Sequence, residues 1–382
     1  MLSRRGFEVE AYTDAYHSPF QSCAALDGGS LQAPEPFERL RDAIEAHASA
    51  IWTSVPSQTR FLHKGVAVTL DPSMAAARVH GDPSAQSDVL GRVEQALDRI
   101  RPDVLVNYGG DWLSRQIRDS ARRRGIAVVF TLHNLGYRDP STFIACDVVI
   151  VPSRYSAEHY RERLGLDFQV LPNVVDFSTV KVRDVDPRFA TFVNPSHEKG
   201  VYFFARLADE LGRRRPDIPL LVVEARGTEE TLASCGLDLR ARGNVFLMAN
   251  TPDPARFWGV TRFCLIPSLC EESQCLVAVE AMVNGIPVLA SNRGALPETL
   301  GRSGYVLTVP GWMIPGGRVL PTTGEVTAWA EMVVRLWDDQ GLYQEHRRLA
   351  ADEARRWNPE VLEPRFVELF NSVRPSRDAL GD

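Results

Sequence analysis

The sequence predicts an α/β protein built from two doubly wound domains, each with a parallel sheet. Three observations predict it. At 382 residues the chain exceeds what one ordinary core holds, so two domains are expected. Short apolar runs alternate with amphipathic helical stretches, the pattern of βαβ units. The alternation breaks once, in the polar stretch LPNVVDFSTVKVRDVDPR, and then restarts, which places a linker at residues 172–188. The expected divisions are therefore a first domain over 1–175, a second over 186–355, and a terminal segment 356–382. That segment has an apolar face over Pro359–Val373 and is expected to return to the first domain.

Taken in order, the first residues, RGFEVE from Arg5, read as the end of a helix followed by a second strand. A nucleotide-binding α/β domain would place a first strand and a Gly-rich loop before them. Either the start is misassigned or the first sheet is altered. Val89, Val93, Leu97 and Ile100 then recur at helical spacing. Strands follow at Asp103–Tyr108, Ile126–Thr131 and Asp147–Val151, with a basic helix after the first of them. Ser153 is placed to cap a helix to Arg163, and FQVL returns as a strand. Beyond the linker come a strand at Phe189–Asn194, a helix at Glu198–Arg214, and strands at Leu220–Glu224, Val245–Met248 and Phe263–Pro267. A helix through Glu280 and a strand at Val288–Ala290 complete the set, and the chain is helical after about Glu325.

Composition excludes several function classes. The formal charge of −6 disfavours nucleic acid as the main partner, since phosphate-backbone binding needs a basic surface. No apolar run approaches the roughly 20 residues that span a bilayer, and no signal-peptide core is visible, so a cytoplasmic protein is expected. The basic stretch Arg115–Arg124 offers a possible peripheral contact with the inner membrane face, against the plainer reading of a solvated helix face. The six cysteines lack zinc-type spacing. Cys146 and Cys264 sit beside apolar runs and read as buried thiols. Lysine occurs only at 64, 181 and 199.

Ligands of open parallel sheets bind beyond the carboxyl ends of the strands. The sharpest signal there is PSLCEESQCLVAVEAMVNG, Pro267–Gly285. Glu272 lies in the loop and reads, alone, as a solvated carboxylate. Glu280 lies inside the apolar run LVAVEAMV, where an unpaired carboxylate would be costly, so it is expected to be paired, hydrogen-bonded or functional. A vicinal diol such as ribose would satisfy it. Gln274–Leu276 is the expected helix start, where free N–H groups favour phosphate.

A loop Glu, seven residues and a helix Glu followed by Ala-Met resembles the E-x7-E motif of retaining GT-B glycosyltransferases. The nearest group is family four, usually E-x-F-G-L-x-x-x-E-A-M. IPVLASNRGALPE, VVIVPSRYS and LPNVVD are similar to the same family in the same order. The resemblance implies a GT-B fold, two Rossmann-like domains facing across a cleft. It implies transfer of a hexosyl group from a nucleoside diphosphate sugar, UDP- or GDP-linked, with retention and with no cofactor or catalytic metal. The acceptor would be a saccharide, lipid-linked saccharide or natural product.

By the same resemblance Glu280 would bind the donor ribose, Glu272 the sugar hydroxyls, and the backbone of Gln274, Cys275 and Leu276 the diphosphate. The family's Phe-Gly pair is Gln274-Cys275 here. In VNPSHEKG, Lys199-Gly200 matches the family, while Asn194-Pro195 stands where Gly-Arg is usual. Lys199 would neutralise the leaving diphosphate, Ser196 shares that donor loop, and Arg226 is the candidate for the missing second cation. His133, at the end of VVF in THN, matches the family's histidine beside the transferred sugar. Asn107, Tyr108 and Gly109 would line the acceptor pocket, the plainer alternative being a Gly-Gly turn with Asp111 capping the next helix. Other readings stay open: a GT-B phosphorylase or epimerase, or a non-catalytic sugar-nucleotide-binding scaffold.

Overall fold

A computed structural model describes residues 2–13, 50–55, 58–63, 65–71, 73–74, 77 and 83–373. Lys64 and Cys23 lie outside them. The chain divides into two compact units. Unit 1 comprises residues up to Thr131, Asp139–Val149 and the chain from Arg365; unit 2 comprises Leu132–Arg138 and Ile150–Pro364.

Unit 1 opens with a short 3-10 turn, Leu2–Arg5, and strand β1, Glu10–Thr13. β2 (Ala50–Val55), β3 (Gln58–His63) and β4 (Val66–Leu70) complete a sheet of order β1-β4-β3-β2. β1 runs parallel to β4, but β3 is antiparallel to both its neighbours. This first sheet is therefore mixed, unlike the parallel arrangement expected throughout. Gly65, at φ +78°, makes the sharp reversal between β3 and β4.

A second sheet has the order β5-β6-β7-β8, from Val104–Asn107, Ala127–Thr131, Val148–Val151 and Gln169–Val170. Helices α1 (Pro83–Ile100) and α2 (Trp112–Arg123) bury Val89, Val93 and Leu97 against Leu113, Ile117 and Ala121. Those residues recur every three or four positions, so each helix presents one apolar stripe. Helix α3, Arg154–Leu164, is capped by Ser153, as its sequence predicts, and ends at left-handed Gly165. α4, Phe177–Val180, falls inside the polar stretch 172–188 and adds Val180 to a core of unit 2.

The larger sheet of unit 2 is parallel throughout. Its strands are β9 (Phe189–Val193), β10 (Leu220–Val223), β11 (Val245–Met248), β12 (Thr261–Ile266), β13 (Val288–Ser291) and β14 (Tyr305–Leu307). The order β11-β10-β9-β12-β13-β14 makes β9 and β12 the neighbours at which the winding reverses. Side chains alternate between two cores. Phe192, Val222, Phe263, Leu265 and Leu289 face one; Leu221, Val223, Cys264, Ile266 and Val288 face the other. Burial on both faces explains why these strands read as unbroken apolar runs.

On the first face lie α5 (Val201–Arg214) and α10 (Thr323–Asp338), joined through Phe203 and Trp329. On the second lie α8 (Leu276–Val283) and α11 (Gln340–Ala354). Short helices α6 (Glu229–Ala233), α7 (Ala255–Trp258) and α9 (Leu296–Leu300) join strands. The last helix, α12, spans Pro359–Ser372. Its Phe370 ring meets Phe7 edge-on at 6.3 Å, both within unit 1.

Two expectations need correcting. α5 starts at Val201, not Glu198, because Ser196–Lys199 forms a turn closed by left-handed Gly200. Cys264 is fully buried, but Cys146 is only half-buried.

Candidate functional site

The loops that leave β9 and β12 meet at the switch point. In the first, Asn194 adopts φ +65° and its side-chain oxygen accepts from Gly227 N at 2.9 Å. Gly227 lies in the turn after β10; a Cβ there would sit 2.2 Å from Pro195 C. Gly200 approaches the second loop as closely, since a Cβ on it would lie 2.0 Å from Pro267 O. Leu269 N and Cys270 N both donate to Glu198 O, at 2.9 and 3.1 Å. Backbone contacts thus bind the two loops into one surface.

That surface carries a part-buried ion pair. Lys199 Nζ lies 2.6 Å from Glu272 Oε1, with side chains 23% and 10% exposed. Ser268 Oγ donates to the same oxygen at 2.6 Å, and Ser268 O accepts from Ser291 Oγ at 2.7 Å. Burial opposes the lysine charge, but the adjacent carboxylate outweighs it and the Lys199 pKa is raised. Glu272 is therefore not the solvated carboxylate that the loop position suggests. Its backbone is pinned as well: Ala295 N donates to Glu272 O at 2.7 Å, and left-handed Gly294 packs where a Cβ would lie 2.3 Å from Glu272 N.

The rest of the second loop leads into α8. Gln274 is buried and its amide grips the backbone of Asn173, accepting from N at 2.8 Å and donating to O at 3.3 Å. Its side chain is thus engaged within the protein. Cys275 precedes the helix at φ +67° and ψ +83°. Burial pushes its thiol pKa well above the usual value, so it is not a reactive thiolate. Leu276 is exposed at the first helical position. Glu280 accepts from Trp258 Nε1 at 3.2 Å, and burial raises its pKa. The carboxylate is therefore hydrogen-bonded, by one neutral donor among the described residues.

His133 belongs to unit 2, and its carbonyl accepts from Ser273 Oγ at 2.8 Å, beside Glu272. Burial of the surroundings lowers the ring pKa, which favours neutral imidazole. Ser196 Oγ and His197 Nε2, in the first loop, are shut off from solvent without a hydrogen-bond partner among the described residues. Buried polar atoms seldom stay that way in a finished site. Arg226 is exposed on the turn adjoining this loop. The structure thus brings together Lys199, Ser196, Glu272, Cys275 and His133 within unit 2.

Asn107, Tyr108 and Gly109 lie in unit 1 at the end of β5. Buried Arg118 donates to Asn107 Oδ1 and Gly109 O, both at 2.8 Å, and to Thr142 O at 3.0 Å. Tyr108 is exposed, and Asp111 caps α2 by accepting from Ser114 N at 3.0 Å. The capping alternative therefore holds for Asp111.

Sequence reasoning missed three residues. Ser268 is buried beneath Glu272. Glu298 accepts from Arg154 N at 3.0 Å and Tyr155 N at 2.9 Å, completing the first turn of α3. Arg118 is buried where a solvated basic helix face was expected. Only Arg118 left a signal: it falls between Ile117 and Ala121, on the edge of the apolar stripe of α2.

The fold is of the GT-B class. A family model described as Glycosyltransferase Family 4 matches residues 1–179, and one described as Glycosyl transferases group 1 matches residues 188–339. The chain belongs to the group 1 glycosyltransferases. It is 27% identical over 259 residues to the lipopolysaccharide 1,2-N-acetylglucosaminetransferase of Salmonella typhimurium. That match covers 60% of this chain and 65% of the relative, so the chain spans just under two thirds of the curated protein. Among solved structures, sucrose-phosphate synthase from Thermosynechococcus elongatus superposes with a TM-score of 0.64 at 15% identity, covering 95% and 98% of the two chains. Anabaena HepE, solved with UDP, gives 0.62 at 16%, covering 95% and 100%. Both are similar in fold.

Proposed function

We propose that this chain transfers a hexosyl group from a nucleoside diphosphate sugar to a saccharide-bearing acceptor, with retention at the anomeric carbon. The observation that carries the reading is the Lys199–Glu272 pair at the switch point of the unit 2 sheet, a part-buried cation beside a buried carboxylate. A part-buried ammonium suits the diphosphate leaving group, and stabilising that charge as the glycosidic bond breaks is a large term in catalysis. Lys199 does this work without a metal ion. Glu272 accepts from sugar hydroxyls, and Glu280, held by one indole N–H, accepts from the ribose diol. Ser196 Oγ, Arg226 and the N–H groups from Cys275 and Leu276 reach the phosphates. Neutral His133 contacts the transferred sugar. Asn107, Tyr108 and Gly109 serve the acceptor.

The relatives support a UDP-linked donor ahead of a GDP-linked one. One is named as an N-acetylglucosaminetransferase, and HepE was solved with UDP-glucose as well as UDP. The test is release of nucleoside diphosphate from UDP- and GDP-sugars, each with a panel of saccharide and lipid-linked acceptors. One donor should turn over, and Lys199→Ala and Glu280→Ala should each lower kcat/KM by about a hundredfold or more. No turnover with any donor, or full activity in both variants, would overturn the reading.

A further inference from the structure

The Lys199–Glu272 contact makes a further demand on the ligand, which rests on the reading just given. Glu272 is a buried carboxylate with two donors, Lys199 Nζ and Ser268 Oγ, both on Oε1 at 2.6 Å. Cys270 Sγ, 3.8 Å from Nζ, is a weak partner and replaces neither. The two charges balance each other in a site that water reaches poorly. Any anion that draws Lys199 towards itself removes the one cation that pairs with Glu272 among the described residues. It also brings negative charge close to that carboxylate.

We infer that Glu272 makes this site discriminate an intact sugar nucleotide from a bare nucleoside diphosphate. A sugar nucleotide takes Lys199 with its diphosphate and returns hydroxyl donors to Glu272, so both charges remain satisfied. A bare diphosphate takes Lys199 and returns nothing, which leaves a buried carboxylate with Ser268 alone. The same residue that grips the donor sugar therefore weakens the hold on the product once the sugar has gone. Product release is driven by re-formation of the Lys199–Glu272 pair.

The prediction has an unusual sign. Removing the carboxylate should tighten binding of the bare diphosphate, because Lys199 is then available without a competing partner. Calorimetric titration of UDP, GDP, UDP-glucose and UDP-N-acetylglucosamine would compare wild type with Glu272→Gln and Glu272→Ala, each first shown to melt like wild type. UDP, or GDP if that is the base bound, should bind the variants about tenfold tighter. The matching sugar nucleotide should bind no tighter than before. Variants that bind the bare diphosphate no better than wild type would overturn the inference while leaving the proposed function standing. A wild-type chain that binds none of the four nucleotides would overturn both.

Discussion

Asn194 and Cys275 hold left-handed backbone at two places where glycine is usual in the family. The loops keep the glycine geometry after losing the glycines. Asparagine tolerates this region; cysteine does so at a penalty of about 1–2 kcal/mol. Cys275→Gly should therefore stabilise the chain, by up to about 1 kcal/mol after the entropy of the freer unfolded glycine is subtracted. A rise in Tm without loss of nucleotide affinity would show it. Glu280 gives a pH-dependent test. Burial raises its folded pKa above the ordinary 4.5, so the fold favours the protonated form. The stability this provides is present below the unfolded pKa and disappears as pH rises through the folded one. Glu280→Gln should thus be more stable than wild type at pH 7. The gain should vanish as pH falls towards 4, as read from denaturant midpoints. Glu280 was legible because a carboxylate inside an apolar run is conspicuous, whereas Lys199 and Glu272, in polar loops, stood out only through the resemblance of their motifs. Ser268 and Glu298 were not, because a serine and a surface-type glutamate declare their roles only through partners distant in sequence.

Elements are placed here by close backbone approach as much as by side-chain packing. Gly294 sits so near Glu272 that any Cβ must displace the loop. Gly294→Ala should lower stability by more than about 2 kcal/mol and abolish donor turnover together, measured by melting and by diphosphate release. At α2 the cap is the sensitive point: Asp111→Ala should lose about 1 kcal/mol of stability. The strands of unit 2 could be read from sequence because burial on both faces leaves long apolar runs. The start of α5 could not. Glu198 and Lys199 are good helix formers, and only the left-handed turn at Gly200, packed under Pro267, delays the helix to Val201. The antiparallel β3 was equally hidden, since Gln58–His63 carries too few apolar residues to show a strand period.

For the whole molecule, charge pairing decides what the surface can attract. The arginines of α2 and its C-cap answer to acidic partners: Arg115 to Asp139 at 3.1 Å, Arg122 to Asp147 at 2.7 Å, and the cap residue Arg124 to Asp98 at 2.7 Å. A helix so neutralised has little to offer anionic lipid. Among the described residues no helix is long and apolar enough to cross a membrane. Replacing Arg122 and Arg123 with Gln should leave sedimentation with phosphatidylglycerol vesicles unchanged. An anionic-lipid patch would instead lose about 1 kcal/mol for each arginine near the surface. The overall fold was legible because a βαβ alternation and an E-x7-E motif are both local patterns. The mixed first sheet was not, because strand direction depends on pairing across the chain.

The carboxylate of Glu298 completes the start of α3 from 144 residues downstream. Proteins are made from the amino end, so α3 leaves the ribosome long before its second cap has been translated. Until then, the amides of Arg154 and Tyr155 must make do with water. The first turn of an early helix is sealed by one of the later parts of the chain to be made. A ribosome halted before codon 298 would hold α3 with these two amides still open to exchange, and releasing it past that codon would close both at once.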